Sequence, residues 1–148
     1  MGKVYLSFTD IRDAKKAAEK VHMLRPEWRI VRLTARELIQ HSDPSLLSKT
    51  TDFEGQLLVA VYYDSRNQNL NQHVMACSLE SLAVTFGDVK SFNQLPTGQD
   101  NVSEFHIEFF NTRDSENATT SLNGARVDVS PTHSLVLSYL FLLVSAAY

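Results

Sequence analysis

From Gln56 onward the period of the apolar residues changes again and again, and this constrains the fold more than any other feature of the sequence. Gln56–Asp64 (QLLVAVYYD) reads as a strand. In Val74–Phe86, Leu79, Leu82, Ala83 and Phe86 recur at i, i+3, i+4 and i+7, the stripe of an amphipathic helix, with Gly87 in the usual C-terminal position. Val89–Leu95 reads as a strand. Pro96–Asn101 is turn chemistry. Val102–Phe110 alternates, with Phe105, Ile107 and Phe109 inward and Glu104, His106 and Glu108 outward. Asp114–Leu122 predicts a short helix with Ala118 and Leu122 inward, Asn123-Gly124 a turn, and Ala125–Val129 the approach to a last strand.

The order strand, helix, strand, strand, helix, strand implies an α+β, ferredoxin-like βαββαβ sandwich. Two helices cover one face of a four-stranded antiparallel sheet, and the other face stays open for a ligand. Residues 1–40 carry part of the same pattern. Val4, Leu6 and Phe8 alternate with Lys3, Tyr5 and Ser7. Ala14, Ala17, Val21 and Leu24 share a helical face opposite Lys15, Lys16, Glu19 and Lys20, Pro26 stops that helix, and Trp28–Leu33 reads as a second short strand. Thr34 with Glu37 is a capping-box pattern for a short helix over Thr34–Gln40.

Tyr5–Ala17 also echoes His106–Ala118 at an offset of 101. Phe8 matches Phe109, Arg12 matches Arg113, Asp13 matches Asp114 and Ala17 matches Ala118. The expected organisation is a partial β-α-β half-repeat over 1–40, a polar linker over 41–55, a complete domain over 56–129 and an apolar tail over 130–148 that is a candidate last strand.

Residues Leu79–Phe92 resemble the first helix of the RNA recognition motif family and its Phe-Gly-x-Val turn. Arg113–Gly124 resembles that family's second helix and its Leu-Asn-Gly turn. More narrowly, the wording of YYDSRN, LPTGQDNVSEF and NTRD is similar to fungal relatives of a meiosis-promoting RNA-binding regulator with several such domains. The resemblance implies a non-catalytic module for single-stranded RNA, acting in post-transcriptional regulation in the nucleus or cytoplasm. The family stacks bases on aromatic side chains of its first and third strands. Here Leu57–Tyr62 aligns with the first-strand hexamer, with Leu58 at the exposed aromatic position and Val61 at the usual Asn. Val102–Phe109 aligns with the third-strand octamer, with Glu104 and His106 at its two exposed aromatic positions. Met1–Phe8 aligns with the same octamer. Gly2 fits its glycine, Lys3 takes the first aromatic position and Tyr5 keeps the second.

The RNA-binding residues so implied are Lys3, Tyr5, Leu58, Tyr62, Arg66 and His106. His106 reads either as a surface histidine on an acidic face or as a stacking, pH-sensitive contact. Arg66, with Asn67, Asn69 and Asn71, reads as a solvated loop or as a phosphate and base-edge contact. Trp28 reads as core. Of the net charge of -3, residues 1–40 hold nine Lys/Arg against five Asp/Glu, and residues 41–148 hold five against twelve. RNA binding is therefore expected to be weak and salt-sensitive. The alternative is a degenerate domain whose sheet face meets a protein, with a basic peptide suiting Glu104, Glu108 and Glu116.

Other chemistries find little purchase. One cysteine, Cys77, excludes an internal disulfide framework and a cysteine-based zinc site, and fits a reducing compartment. It opens a helix without an obvious histidine partner, as an inert cysteine would. The five histidines lack metal spacing, and no phosphate loop or nucleophile elbow occurs, so neither a cofactor nor catalysis is expected. No secretory leader is expected either, because Asp10 and Arg12 closely follow the short, mixed Met1–Phe8. The uncharged run Ser134–Tyr148 spans 15 residues, short of the roughly 20 a spanning helix needs. It reads as a buried strand or helix, or as an aggregation-prone tail, ahead of a membrane anchor.

Overall fold

The computed structural model describes residues 3–42, 44–45, 54–62, 71–97, 101–130 and 133–139. The chain divides into two compact units, Met1–Glu54 and Gly55–Tyr148.

The first unit holds two helices, α1 (Ile11–Leu24) and α2 (Ala35–Ser42). Asp10 caps α1. Its Oδ1 accepts the Arg12 backbone N–H at 2.8 Å, and its carboxylate also accepts from the Arg12 guanidinium, at 3.0 Å from Nε and 2.6 Å from Nη2. That side-chain bond, more than any other cause, lowers the Asp10 pKa from its ordinary 3.8 to about 2. The capping box of α2 forms as its spacing predicts. The Glu37 N–H donates to Thr34 Oγ1 at 3.2 Å, and Glu37 Oε2 accepts the Thr34 N–H at 2.8 Å. The two flanking strands do not form. Residues 3–8 and 29–33 lie in no helix or strand, because a strand needs a neighbour to take up its N–H and C=O groups. Trp28, expected in a core, is exposed, with the Arg25 guanidinium 5.9 Å from its ring centre.

The second unit is the α+β sandwich. Its elements are β1 (Gln56–Tyr62), α3 (Gln72–Val84), β2 (Val89–Leu95), β3 (Val102–Phe109), α4 (Thr112–Leu122), β4 (Arg126–Ser130) and β5 (His133–Tyr139). The sheet order is β2-β3-β1-β5-β4, and every pairing is antiparallel. Strands β1, β2, β3 and β5 reproduce the four-stranded ferredoxin-like order, with β3 and β1 in the middle. Of the two segments open as the last strand, the apolar tail supplies it. Residues 126–130 do not reach β1; they form the outer arm of a hairpin, and β5, from the apolar tail, pairs with β1 instead.

Alternation places Leu57, Val59 and Val61 of β1 and Phe105, Ile107 and Phe109 of β3 on one face, where Met75, Leu79 and Ala83 of α3 and Ala118 and Leu122 of α4 close the core. Each large side chain buried there contributes roughly 1.5–3 kcal/mol. Phe92 packs on Phe105 with ring centres 5.4 Å apart. In β2, strict alternation back from Phe92 would turn Lys90 into the core and Val89 out of it. An irregularity between Val89 and Ser91 shifts the register, so Val89 packs on the core and Lys90 reaches the other face.

Two glycines serve the turns that follow helices. Gly124 follows α4 at φ +72, a left-handed conformation that costs other residues about 1–2 kcal/mol. Gly87 lies in the turn after α3, which ends at Val84, two residues earlier than its stripe suggests. A Cβ there would overlap the Asp114 side chain, down to that residue's own Cβ at 2.8 Å.

Gly87→Ala should therefore destabilise the second unit by about 1–3 kcal/mol, read as a lower urea midpoint at unchanged slope. In acid, the Asp10 cap behaves as a carboxylate whose folded pKa is depressed. Its support for α1 is complete above about pH 4, where the unfolded carboxyl is ionised, and is lost as pH falls through about 2. Amide shifts of Ile11–Asp13 followed from pH 6 to pH 1.5 should report the loss, and Asp10→Asn should remove the dependence.

Candidate nucleic-acid interface

The sheet face opposite the helices is built from the other half of each alternation. Its rows run across β2, β3 and β1 by register. Ser91, Glu108 and Gln56 form one row; Asn93, His106 and Leu58 the next; Leu95, Glu104 and Ala60 the third. Val102 and Tyr62 pair in the fourth. Ser138 of β5 extends the third row and Val136 the fourth as register positions.

Hydrogen bonds fix much of the first two rows. His106 Nε2 lies 2.9 Å from Gln56 Oε1, so a proton on Nε2 is donated to the amide oxygen and ties the ring to β1. Lys90 Nζ donates to Glu108 Oε1 at 2.7 Å, and Ser91 Oγ donates to Oε2 at 3.4 Å. Glu108 is thereby compensated, which removes it from the free acidic groups expected on this face. Glu104 keeps a half-buried carboxylate with no hydrogen-bond or ion-pair partner among the described residues. Its neighbours in that row on β2 and β1, Leu95 and Ala60, are apolar. Ala60 and Val102 hold open-face register positions, yet both are buried, at 2% and 5% exposure.

The structure brings together part of the implied site. Leu58 and His106 face each other directly across the β1–β3 pair. Tyr62 lies on the same face of β1, about 13 Å along the strand at about 3.3 Å per residue, and is 40% exposed. Lys3 and Tyr5 belong to the first unit, exposed and outside any strand. Arg66, with Tyr63, lies outside the described residues. Asn71, grouped with Arg66 as a loop contact, has another task. It is the N-cap of α3, and its Oδ1 accepts the His73 N–H at 2.9 Å.

Sequence reasoning missed three features. Gln56 and Asn93 flank His106 with amide groups; their outward positions follow from the same alternation that exposed His106. Lys90 escaped because nothing in the sequence announces the bulge. The third is a thiol–imidazole neighbour pair. Cys77 sits well inside α3 rather than at its start, and its Sγ is 3.7 Å from His73 Nε2. The i,i+4 spacing on a helix was the available signal. Among the described residues no three His, Cys, Asp or Glu side chains gather to hold a metal ion, and no helix is long and apolar enough to cross a membrane.

No protein family and no curated protein matches the chain. Solved structures do. The chain is similar to the third RNA recognition motif (RRM) domain of Mip6, at 14% identity and TM-score 0.38, over 59% of this chain and 96% of that one. It is similar to a PID-3–TOFU-6 RRM domain complex, at 10% identity and TM-score 0.38, over 64% and 94%. It is also similar to a Sxl-lethal protein–RNA complex, at 21% identity and TM-score 0.36, over 57% and 47%.

Proposed function

We propose that the chain is an RNA-binding module that takes single-stranded RNA on the open sheet face of its second unit, in post-transcriptional regulation in the nucleus or cytoplasm. One observation carries this reading: the row Asn93–His106–Leu58, with His106 tied to Gln56. The imidazole offers a π face on which any base can stack, Leu58 an apolar neighbour, and the two amides donors and acceptors for base edges. Tyr62 supplies a second ring farther along β1. Within β1–β3, compensation of Glu108 by Lys90 leaves Glu104 as the described carboxylate that opposes phosphate, and Asp128 of β4 holds an open-face register position as well. Exposed cations of the first unit, among them Lys15, Lys20, Arg29 and Arg32, suit backbone contacts. The wording of Tyr62–Asn67, Leu95–Phe105 and Asn111–Asp114 supports a narrower place beside fungal relatives of a meiosis-promoting regulator.

A second reading is favoured by the third row. Glu104, a carboxylate without a partner among the described residues and set between Leu95 and Ala60, suits a basic peptide with an apolar side chain.

Anisotropy of a labelled random single-stranded RNA pool at low salt tests the first reading. Binding should weaken with salt, at a log–log slope of roughly -0.7 per phosphate contacted. His106→Ala should weaken it by about 1–3 kcal/mol, and Glu104→Gln should strengthen it about fivefold, as loss of roughly 1 kcal/mol of repulsion predicts. Absence of any binding at low salt would overturn the RNA reading and leave the peptide.

A further inference from the structure

The echo between the two units extends to their structures. Asp10 Oδ1 accepts the Arg12 N–H at 2.8 Å, and Asn111 Oδ1 accepts the Arg113 N–H at 3.0 Å. The carbonyls of Asp10 and Asn111 each accept the N–H three residues on, from Asp13 and Asp114, both at 3.1 Å. Helices α1 and α4 thus start the same way at the same offset of 101. Ahead of each, three apolar residues alternate in step: Val4, Leu6 and Phe8 against Phe105, Ile107 and Phe109.

Their surroundings are opposite. Phe105, Ile107 and Phe109 are 0%, 0% and 3% exposed, whereas Val4, Leu6 and Phe8 are 81%, 67% and 43% exposed. Helix α4 buries Ser115, Ala118 and Leu122, while α1, with Ala14, Ala17 and Val21 at the matching positions, buries no residue. In the second unit the covering element is one continuous stretch, Gln56–Leu95. Its strand β1 pairs Leu57 with Ile107 and Val59 with Phe105, and its helix α3 adds Met75, Leu79 and Ala83 to the same core. A patch of large exposed apolar side chains marks an interaction surface. The repeat says what shape and chemistry cover it.

We propose that residues 4–24 are a docking surface for a strand–helix–strand segment of the Gln56–Leu95 pattern. The segment's first strand pairs with Val4–Phe8. The Ala14, Ala17 and Val21 face of α1 then packs on the paired strands, as α4 packs on β1 and β3, and the segment's helix closes the core beside it. The surface belongs to the first unit and the open sheet face to the second, so the inference does not rest on RNA binding.

The offset supplies its own test. A second copy of residues 56–101 fused ahead of Met1 in the full chain places Met1 where Val102 follows the native turn. Amide hydrogen exchange should then show Leu6, Ala14, Ala17 and Val21 slowing toward the rates of Ile107, Ser115, Ala118 and Leu122. Val21→Asp in the fused chain should abolish that slowing and leave Ala118 protected. Unchanged exchange over residues 4–21 would overturn the proposal. So would duplicated signals confined to residues 102–122, which would mean the added copy exchanges with the resident one. Should the fused chain fail to fold, a peptide of residues 56–95 added to the unaltered chain decides. Shifts at Leu6, Phe8 and Ala17 support the docking surface, and their absence overturns it.

Discussion

The second unit depends on the antiparallel register between β1 and β3. With Leu57 opposite Ile107 and Val59 opposite Phe105, one face of the central pair is apolar except for Ser103 opposite Val61, and both helices find a surface to cover. The same register necessarily sets Leu58 opposite His106 and Ala60 opposite Glu104 on the far side. A slip of one residue would exchange the two faces and bury a carboxylate in place of a phenylalanine. Core and candidate interface are therefore one decision, made once, in the pairing of two strands.

The two units show what such pairing is worth. Both contain an alternating apolar stretch followed by a helix with a capped start. Only the one whose stretch has strand neighbours becomes a sheet. Local signals are enough for α1 and α2, because a helix satisfies its own backbone and a cap needs only the adjoining residues. A strand cannot do this for itself, and residues 3–8 keep the pattern of β3 without its structure.

That difference also explains which parts of the molecule were legible. The order βαββαβ, the inward set Phe105, Ile107 and Phe109, the outward His106 and the Thr34–Glu37 capping box all follow from spacing and appear where spacing puts them. The strands expected over Val4–Phe8 and Trp28–Leu33 did not form, since alternation states which face a residue would take but not whether a partner strand is there. The exchange of β4 for β5 beside β1 lay beyond local pattern too. Both segments are strand-like, and only the geometry of the finished sheet chooses between them. On the open face, Leu58, Tyr62 and Glu104 were placed by parity alone. The Lys90–Glu108 ion pair needed the bulge, and the burial of Ala60 and Val102 needed three dimensions.

The bulge in β2 has one further consequence. It separates the bookkeeping of the turn after α3 from that of the sheet. Upstream of it the chain answers to Gly87, Asp114 and the end of a helix; downstream, Phe92 to Leu95 answer to their partners on β3. A change in the length or path of that turn can be absorbed at Lys90 without turning Phe92 out of the core or Asn93 into it. Helix packing and the chemistry of the open face can therefore diverge independently among descendants of this sequence, with a single edge-strand lysine at the joint between them.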